Sequence, residues 1–177
     1  MIVIEGPDGG GKSTLVQQIS QQFGRPISHR VVDKDTNALV DLKAWTEKNL
    51  SFTNDLYVYD RHRLISEPIY GPIIREKPEP GFDDPQWLAT MMWQFYMKKR
   101  PLIIYCLPSL ETVIENVNRG DDNKVVASKI QSIYTLYIVR YALDIRTGRT
   151  LLYDYTQTTA LRNALHFVQS NIEAGLC

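Results

Sequence analysis

Residues 4–14 read IEGPDGGGKST, a stretch too rich in glycine to be a strand or the interior of a helix. Within it, residues 6–13 fit the pattern G-x-x-x-x-G-K-S/T, which forms a phosphate-binding loop between a strand and a helix. The apolar residues 2–4 predict the strand, and an apolar residue at every fourth position from 15 to 23 predicts the helix. The stretch therefore predicts an α/β protein that binds a nucleotide phosphate.

Glycines suit such a loop because backbone N–H groups must converge on phosphate oxygens, and the absence of a Cβ lets them approach. The N-terminus of the following helix adds its partial positive charge. We expect Lys12 to reach the β- and γ-phosphates of ATP, and the Ser13 hydroxyl to ligate Mg²⁺. The predicted nucleotide-binding residues are Gly6, Pro7, Asp8, Gly9, Gly10, Gly11, Lys12, Ser13 and Thr14. A glycine-rich turn without a ligand is the alternative interpretation.

Two acidic residues and an arginine extend the predicted site. Asp8 lies within the loop, where a carboxylate repels a nucleotide, so we expect it to face the acceptor; a turn-forming aspartate is the alternative. Asp60 and Arg61 follow an apolar strand predicted over residues 56–59, at the edge where open α/β sheets bind ligands. We expect Asp60 to hold Mg²⁺ through water and Arg61 to neutralise phosphoryl charge. An exposed surface pair is the alternative for both.

Two further segments are candidates for the site. Arg119 ends a helix predicted to begin at the N-cap Ser109, and it is predicted either to close over ATP or to complement the helix C-terminus. The five prolines from Glu67 to Pro85 predict a long ordered loop, and loops of this length are often functional. In that loop Arg75 and Lys77 are candidate contacts to an anionic substrate, with solvated surface charges as the alternative.

Short apolar runs alternate with helical patterns, which predicts a parallel sheet with helices on both faces. The five predicted strands lie at residues 2–4, 30–32, 56–59, 102–107 and 151–155. Helices are predicted at about residues 15–23, 38–45, 85–95, 110–119, 124–146 and 159–172, with Asp84 as the N-cap of the third and Pro85 at its first position. No internal repeat or linker interrupts the pattern, so residues 1–177 are predicted to form a single domain.

The composition argues against several classes of protein. Lys and Arg together number 20, as do Asp and Glu, so the chain lacks the overall basic charge of non-specific nucleic-acid binders. The longest apolar run, residues 102–107, is too short to span a membrane. The two cysteines lack metal-ligand spacing and nothing suggests secretion, so a cytoplasmic protein with reduced thiols is expected.

Taken in order, the motifs resemble those of the thymidylate kinase family. The matching stretches are IEGPDGGGKST at 4–14, YDRHRLISEPIYG at 59–71, ENVNRGDD at 115–122 and the closing LLYDYTQTTALRNALHFV at 151–168. The resemblance implies a P-loop kinase three-layer sandwich with a five-stranded parallel sheet, ATP as donor and Mg²⁺ as cofactor. It also implies Lys12 and Arg61 at the transferring phosphoryl group, Asp8 near the acceptor and Arg119 in a lid. Because the family often forms dimers, a homodimer is an open alternative.

The chain also departs from that family, whose chemistry is phosphoryl transfer to thymidine monophosphate. The interval before Asp60 is short, and the helix predicted around Leu39–Trp45 lacks the arginine that reads thymine in the family. Such a trimmed pocket favours the bacteriophage branch that phosphorylates 5-hydroxymethyluracil already in DNA during thymine hypermodification, in the host cytoplasm. Free thymidine monophosphate is the alternative acceptor, and the zero net charge favours it because duplex binding usually draws on a basic surface.

A protein of another class is the third hypothesis: a switch that binds nucleotide and transfers phosphate to nothing. Such a switch has no need of acceptor-side groups. Asp8 and the Asp60–Arg61 pair therefore favour a kinase.

Overall fold

The computed structural model describes residues 1–28, 42–51, 56–75, 81–120 and 124–176. Five strands form one sheet in the order β2-β3-β1-β4-β5, and every neighbouring pair is parallel. The strands are β1 (Ile2–Glu5), β2 (Ile27–Ser28), β3 (Val58–Asp60), β4 (Leu102–Cys106) and β5 (Thr150–Tyr153). The predicted α/β fold with a five-stranded parallel sheet is therefore confirmed.

Seven α-helices are described around this sheet. They are α1 (Lys12–Phe23), α2 (Leu42–Ser51), α3 (Arg63–Tyr70), α4 (Pro85–Trp93), α5 (Leu110–Arg119), α6 (Lys124–Asp144) and α7 (Ala160–Glu173). Two of them continue as π-helical turns, α3 over Gly71–Arg75 and α4 over Gln94–Lys99, and α6 ends in a 3₁₀ turn over Ile145–Thr147. Among the described helices, none is both long enough and apolar enough to cross a membrane.

The core lies on both faces of the sheet. Residues of β1 and β4 are buried along their whole length, which explains why both strands are apolar except for Glu5 at the end of β1. On one face, Val3 and Tyr59 pack with side chains of α3 and α6 such as Leu64 and Tyr137. On the other face, the alternate residues of β1 pack against the apolar sides of α1 and α7.

Parallel pairing brings the carboxyl ends of three strands together. Ile4 lies opposite Asp60 of β3, and Glu5 lies opposite Tyr105 of β4. The phosphate loop leaves β1 at this edge, and Arg61 follows β3 one residue beyond Asp60. Residues more than fifty positions apart in sequence thus become neighbours at one edge of the sheet.

Several predicted boundaries are confirmed by side-chain caps. Asp84 accepts hydrogen bonds from the backbone N–H groups of Gln86 and Trp87, and Pro85 is the first residue of α4. Ser109 accepts one from the N–H of Thr112 at the start of α5. The strand predicted over residues 30–32 and the first part of the helix predicted over 38–45 lie outside the described residues.

The long loop predicted from Glu67 to Pro85 is wrong in its first part. Residues 63–75 are helical, with Pro68 inside α3. A proline inside a helix costs about 3 kcal/mol, because it lacks the N–H that would continue the ladder. Leu64, Ile65 and Ile69 are buried on the inner face of the helix, at about 1.5 to 3 kcal/mol each, which outweighs this cost. Residues 76–80 lie outside the described part of the chain.

Candidate active site

The phosphate loop connects β1 to α1 and packs against the end of β4. A methyl group at Gly6, where φ is +141°, would lie 2.4 Å from the carbonyl oxygen of Cys106. One at Gly10 would lie 2.8 Å from the same oxygen. Only glycine fits at these two positions without movement of the strand, and the loop therefore lies close to the sheet edge as the pattern requires.

Lys12 is the first residue of α1, and its side chain is buried. Its Nζ donates a hydrogen bond to the carbonyl oxygen of Pro7 at 2.6 Å, so the side chain folds back across the loop. Burial and the nearby charge of Arg61 lower the pKa of Lys12 to about 8, although Asp8 opposes them. An anion in the loop would favour the charged ammonium and compete with Pro7 for it. The next residue, Ser13, is exposed.

Asp8, Arg61 and Tyr70 form a closed set of hydrogen bonds beside the loop. Arg61 Nη2 donates to Asp8 Oδ1 at 2.7 Å and to the Tyr70 hydroxyl at 2.7 Å, and that hydroxyl donates to Asp8 Oδ2 at 2.8 Å. Burial raises the pKa of Asp8, but the charges of Arg61 and Lys12 and the Tyr70 hydrogen bond outweigh it and hold the pKa below its ordinary value. The Asp8 carboxylate is therefore ionised and faces a cation and a hydroxyl.

Arg61 adopts a backbone conformation that is uncommon for a residue with a side chain. Its φ is +67°, in the left-handed region. Its N–H donates to the carbonyl oxygen of Ile4 at 3.0 Å, and the next N–H, that of His62, donates to Glu5 Oε1 at 2.6 Å. Tyr137 donates its hydroxyl hydrogen to Glu5 Oε2 at 3.0 Å. The turn that carries Arg61 is thus hydrogen-bonded to the end of β1.

Burial perturbs the titration of both residues next to this turn. It raises the pKa of Glu5 to about 7, against the opposing effects of the His62 N–H, Arg61 and Tyr137. It lowers the pKa of His62 to about 3, and Arg63 lowers it in the same direction. His62 is accordingly neutral, and its Nδ1 accepts a hydrogen bond from the N–H of Leu64 as the N-cap of α3.

Two elements hold the other side of the phosphate loop. Asn116 of α5 donates through Nδ2 to the carbonyl oxygen of Gly9 at 2.8 Å and to the Tyr155 hydroxyl at 2.7 Å. The ring of Tyr155 lies against Gly11, where a Cβ would come within 2.7 Å of Cδ1. The segment after β5 and helix α5 therefore both contact the loop directly.

The sequence matches no protein-family model and no curated protein. Solved structures resemble it over nearly its full length. The Bacillus subtilis YorR protein, in complex with phosphorylated GDP, is 17% identical with a TM-score of 0.67, covering 97% of both chains. A deoxyadenosine kinase from M. mycoides with dCMP and a flexible dCDP bound is 18% identical with a TM-score of 0.61, covering 98% of both. A gluconokinase from Sinorhizobium meliloti is 14% identical with a TM-score of 0.55, covering 98% of this chain and 93% of the other.

The chain has the fold of the P-loop nucleoside and nucleotide kinases. At these identities the likeness concerns the fold. Another structure of the deoxyadenosine kinase, 15% identical with a TM-score of 0.58, holds dATP. The predicted membership of the thymidylate kinase family is not confirmed by these comparisons. It stays a prediction, as does the bacteriophage branch.

The residues of this kinase fold suit ATP and Mg²⁺ in their chemistry. Gly6 and Gly10 form a loop that any Cβ would obstruct, and the buried Nε of Arg61 lacks a hydrogen-bond partner among the described residues. The Ser13 hydroxyl and the half-buried Asp60 carboxylate are oxygen ligands of the type that Mg²⁺ prefers. The described residues include no cluster of three or more His, Cys, Asp or Glu side chains, and Mg²⁺ in kinases needs few protein ligands because phosphates supply the others.

The other basic candidates, Arg119 and Arg75, each pair with an acidic residue on their own segment. The Arg119 side chain is 75% exposed and pairs with Glu115, one turn earlier on α5, at 3.1 Å. Its predicted closure over ATP stays a prediction. Arg75 forms an ion pair with the buried Glu67, and Lys77 lies outside the described residues.

Sequence reasoning missed four residues of this candidate site: Glu5, Tyr70, Asn116 and Tyr155. Glu5 had a usable signal, because it is an acidic residue at the end of an otherwise apolar and fully buried strand. Tyr70 and Asn116 lie within the stretches YDRHRLISEPIYG and ENVNRGDD, in which the predicted site residues are Asp60, Arg61 and Arg119. Nothing in the local sequence connects Tyr155 with Gly11, because that contact is made by the fold.

Proposed function

We infer that this protein is an ATP-dependent kinase whose acceptor is a hydroxyl group on a thymine-type deoxynucleotide. The observation that carries this function is the contact between Asp8 of the phosphate loop and Arg61 at 2.7 Å. It joins a donor-side cradle to an acceptor-side cation and carboxylate within one site. A protein that only bound nucleotide would have no need of this second half.

The side chains support a simple division of roles in phosphoryl transfer. Lys12 would leave Pro7 and bind the β- and γ-phosphates, while Arg61 would neutralise charge on the transferring group. Ser13 and Asp60 would hold Mg²⁺, which would supply positive charge against the phosphates. These groups position the reactants and neutralise the phosphate charge, and phosphoryl transfer requires little more from a protein.

Asp8 would act on the acceptor. The acceptor oxygen forms a bond to the γ-phosphorus as the bond from that phosphorus to the β–γ bridging oxygen breaks, and ADP leaves. The hydroxyl proton passes to Asp8 and then to solvent. Because the pKa of Asp8 is held below its ordinary value, we expect Asp8 to orient the hydroxyl early and take its proton late.

For the acceptor we propose the hydroxymethyl group of 5-hydroxymethyluracil within DNA. An ionised Asp8 beside Tyr70 is suited to a neutral hydroxyl, whereas a phosphate dianion placed against the same carboxylate would be repelled. Two structures of similar fold are named as kinases of hydroxyl-bearing compounds, a deoxyadenosine kinase and a gluconokinase.

Free thymidine monophosphate is the second candidate, and one observation favours it. The chain carries equal numbers of acidic and basic residues, so it lacks the overall positive charge on which duplex binding usually draws. In that case Asp8 would bind a sugar hydroxyl, and Arg61 would contact the acceptor phosphate.

The test offers γ-labelled ATP and Mg²⁺ with thymidine monophosphate or with duplex DNA containing 5-hydroxymethyluracil. DNA of the same sequence with thymine is the matched control, and Lys12→Ala is the matched protein control. Label that enters the DNA only when the hydroxymethyl group is present supports the first acceptor. Label in thymidine diphosphate supports the second. ADP formed slowly with no labelled acceptor would overturn both and favour a nucleotide switch.

A further inference from the structure

The turn that carries Arg61 has a strained backbone and needs external support. A residue with a side chain seldom adopts φ of +67°, and no glycine occupies this position. The chain must leave β3 here, enter the left-handed region for one residue and begin α3 immediately after His62. Whatever holds this turn also determines where the guanidinium of Arg61 lies.

Both N–H groups of the turn are bound by the end of β1. The N–H of Arg61 donates to the backbone carbonyl of Ile4, and this hydrogen bond continues the pairing between β1 and β3. The N–H of His62 donates to a side chain, the Glu5 carboxylate, at 2.6 Å. Glu5 therefore extends the pairing of the two strands by one position, through its side chain.

Glu5 is fully buried, which is unusual for a carboxylate and calls for a physical reason. Each of its two oxygens accepts a hydrogen bond, one from the His62 N–H and the other from the Tyr137 hydroxyl of α6. An apolar residue at this position would fit the strand without any desolvation cost. The hydrogen bond from the His62 N–H therefore explains why a carboxylate is buried at this position.

The other side of the turn is fixed by packing. The ring of His62 lies 4.5 Å from that of Phe95 and within 6 Å of Trp45 and Tyr59, all measured between ring centroids. His62 also begins α3 through its Nδ1. With the ring packed in the core and the amide bound to Glu5, the backbone beyond Arg61 has two independent anchors.

We propose that Glu5 is a positioning residue for Arg61: by binding the His62 amide it fixes the left-handed turn that directs the guanidinium toward Asp8 and the phosphate loop. The inference rests on the proposed function, since it assigns Arg61 to the transferring phosphoryl group. Glu5 itself touches neither phosphate nor acceptor. We expect its effect on catalysis to pass through Arg61.

The first variants separate hydrogen bonding from charge. Glu5→Gln keeps an oxygen for the His62 N–H and a partner for Tyr137, so kcat should stay within about threefold of wild type. Glu5→Asp keeps the charge but is shorter by one methylene and loses its reach, so kcat should fall on the order of 10²-fold. In both variants the KM for ATP should change little. Wild-type kcat in Glu5→Asp would overturn the proposal.

A double-mutant cycle tests whether Glu5 acts through Arg61. Glu5→Ala alone should lower kcat on the order of 10²-fold, yet in an Arg61→Ala background it should change kcat by less than about threefold. Equal losses in both backgrounds would overturn the proposal. Asp144→Asn is the matched control for the loss of a buried carboxylate, because Asp144 accepts from Tyr96, Tyr105 and Arg140, whereas the N–H groups of the turn donate to Ile4 and Glu5. It should leave kcat within about threefold.

Amide hydrogen exchange gives a readout that needs no activity. The His62 N–H should exchange slowly in wild type and in Glu5→Gln, and at least about tenfold faster in Glu5→Asp. Equal protection in all three proteins would overturn the anchoring role even where activity is present. Should wild type phosphorylate no acceptor while exchange follows the expected order, the proposed function fails and Glu5 is left as a structural anchor of the turn.

Discussion

The donor half and the acceptor half of the proposed active site are built on different principles. The donor half is a continuous stretch, residues 6–14 apart from the Asp8 side chain, in which glycines and a helix N-terminus shape the backbone. The acceptor half is made of side chains from distant elements, with Asp8, Arg61 and Tyr70 bonded to one another and Glu5 beneath them. The donor half therefore depends on backbone conformation, and the acceptor half depends on contacts. Substitutions should affect the two halves in distinguishable ways.

Lys12 should give the largest effect, because it is the one charged side chain that the donor half requires. Lys12→Ala should lower kcat by about 10²- to 10³-fold, the loss typical when a group that stabilises transition-state charge is removed. The fold should persist, since the Lys12 hydrogen bond to Pro7 is local to the loop. Steady-state kinetics and thermal unfolding of the same preparation check both statements. Lys12→Met, which keeps the apolar stem, is the matched control and should lose the same activity.

Glycine in the donor half should matter to stability more than glycine elsewhere. Gly6→Ala brings a methyl group to 2.4 Å from the Cys106 carbonyl at positive φ, and should cost about 4 kcal/mol in the free energy of unfolding. Gly24, at the end of α1, also has positive φ but no atom within 4 Å of a Cβ. Gly24→Ala should therefore cost only about 1 kcal/mol. Urea unfolding measures both free energies. Equal costs would show that the positive φ determines the cost and that the contact with Cys106 adds nothing to it.

The same contrast explains what could be predicted from the sequence. The donor half was predictable because its residues are consecutive and its geometry follows from residue type. The Asp60–Arg61 motif was visible as well, since an acid and a base follow an apolar strand. The contacts of Tyr70, Asn116 and Tyr155 were not predictable, because each depends on how separate elements pack.

The fold shows a similar division. The central strands and the caps Asp84 and Ser109 followed from local patterns, and they were predicted correctly. The helix over residues 63–75 was missed because Pro68 and Pro72 argue locally against it. Burial of its apolar face is a tertiary effect, and it stabilises the helix by more than the prolines destabilise it.

Glu5 offers a test of the acceptor half through pH. Its pKa is raised from an ordinary 4.5 to about 7, so the folded protein binds this proton more tightly than the unfolded chain. Its contribution to stability is present below about pH 4.5 and is lost as the pH rises through 7. Relative to Glu5→Gln, wild type should lose roughly 3 kcal/mol across this window. Chemical unfolding of the two proteins at a series of pH values measures the difference.

The titration of His62 does not disturb that comparison. Its pKa is lowered to about 3, so it destabilises the fold as the pH falls below about 6.5, which is the opposite direction. The effect is common to wild type and Glu5→Gln and cancels in their difference. If the difference in the free energy of unfolding between the two proteins stays constant from pH 5 to 8, Glu5 is ionised throughout this range. Burial would then not be the main influence on the Glu5 pKa.

Tyr70 should give the smallest effect and the sharpest distinction between the halves. Tyr70→Phe removes one donor to Asp8 and one acceptor for Arg61 but keeps the ring, whose centre lies 4.6 Å from the guanidinium carbon. We expect kcat/KM for the acceptor to fall about tenfold, the equivalent of one hydrogen bond to a charged group, with KM for ATP unchanged. Asp8→Ala should act in the same direction and more strongly, because it removes the carboxylate itself. Should either variant weaken ATP binding as much as acceptor use, Asp8 belongs to the architecture of the phosphate loop, and the two halves are not separable at this residue.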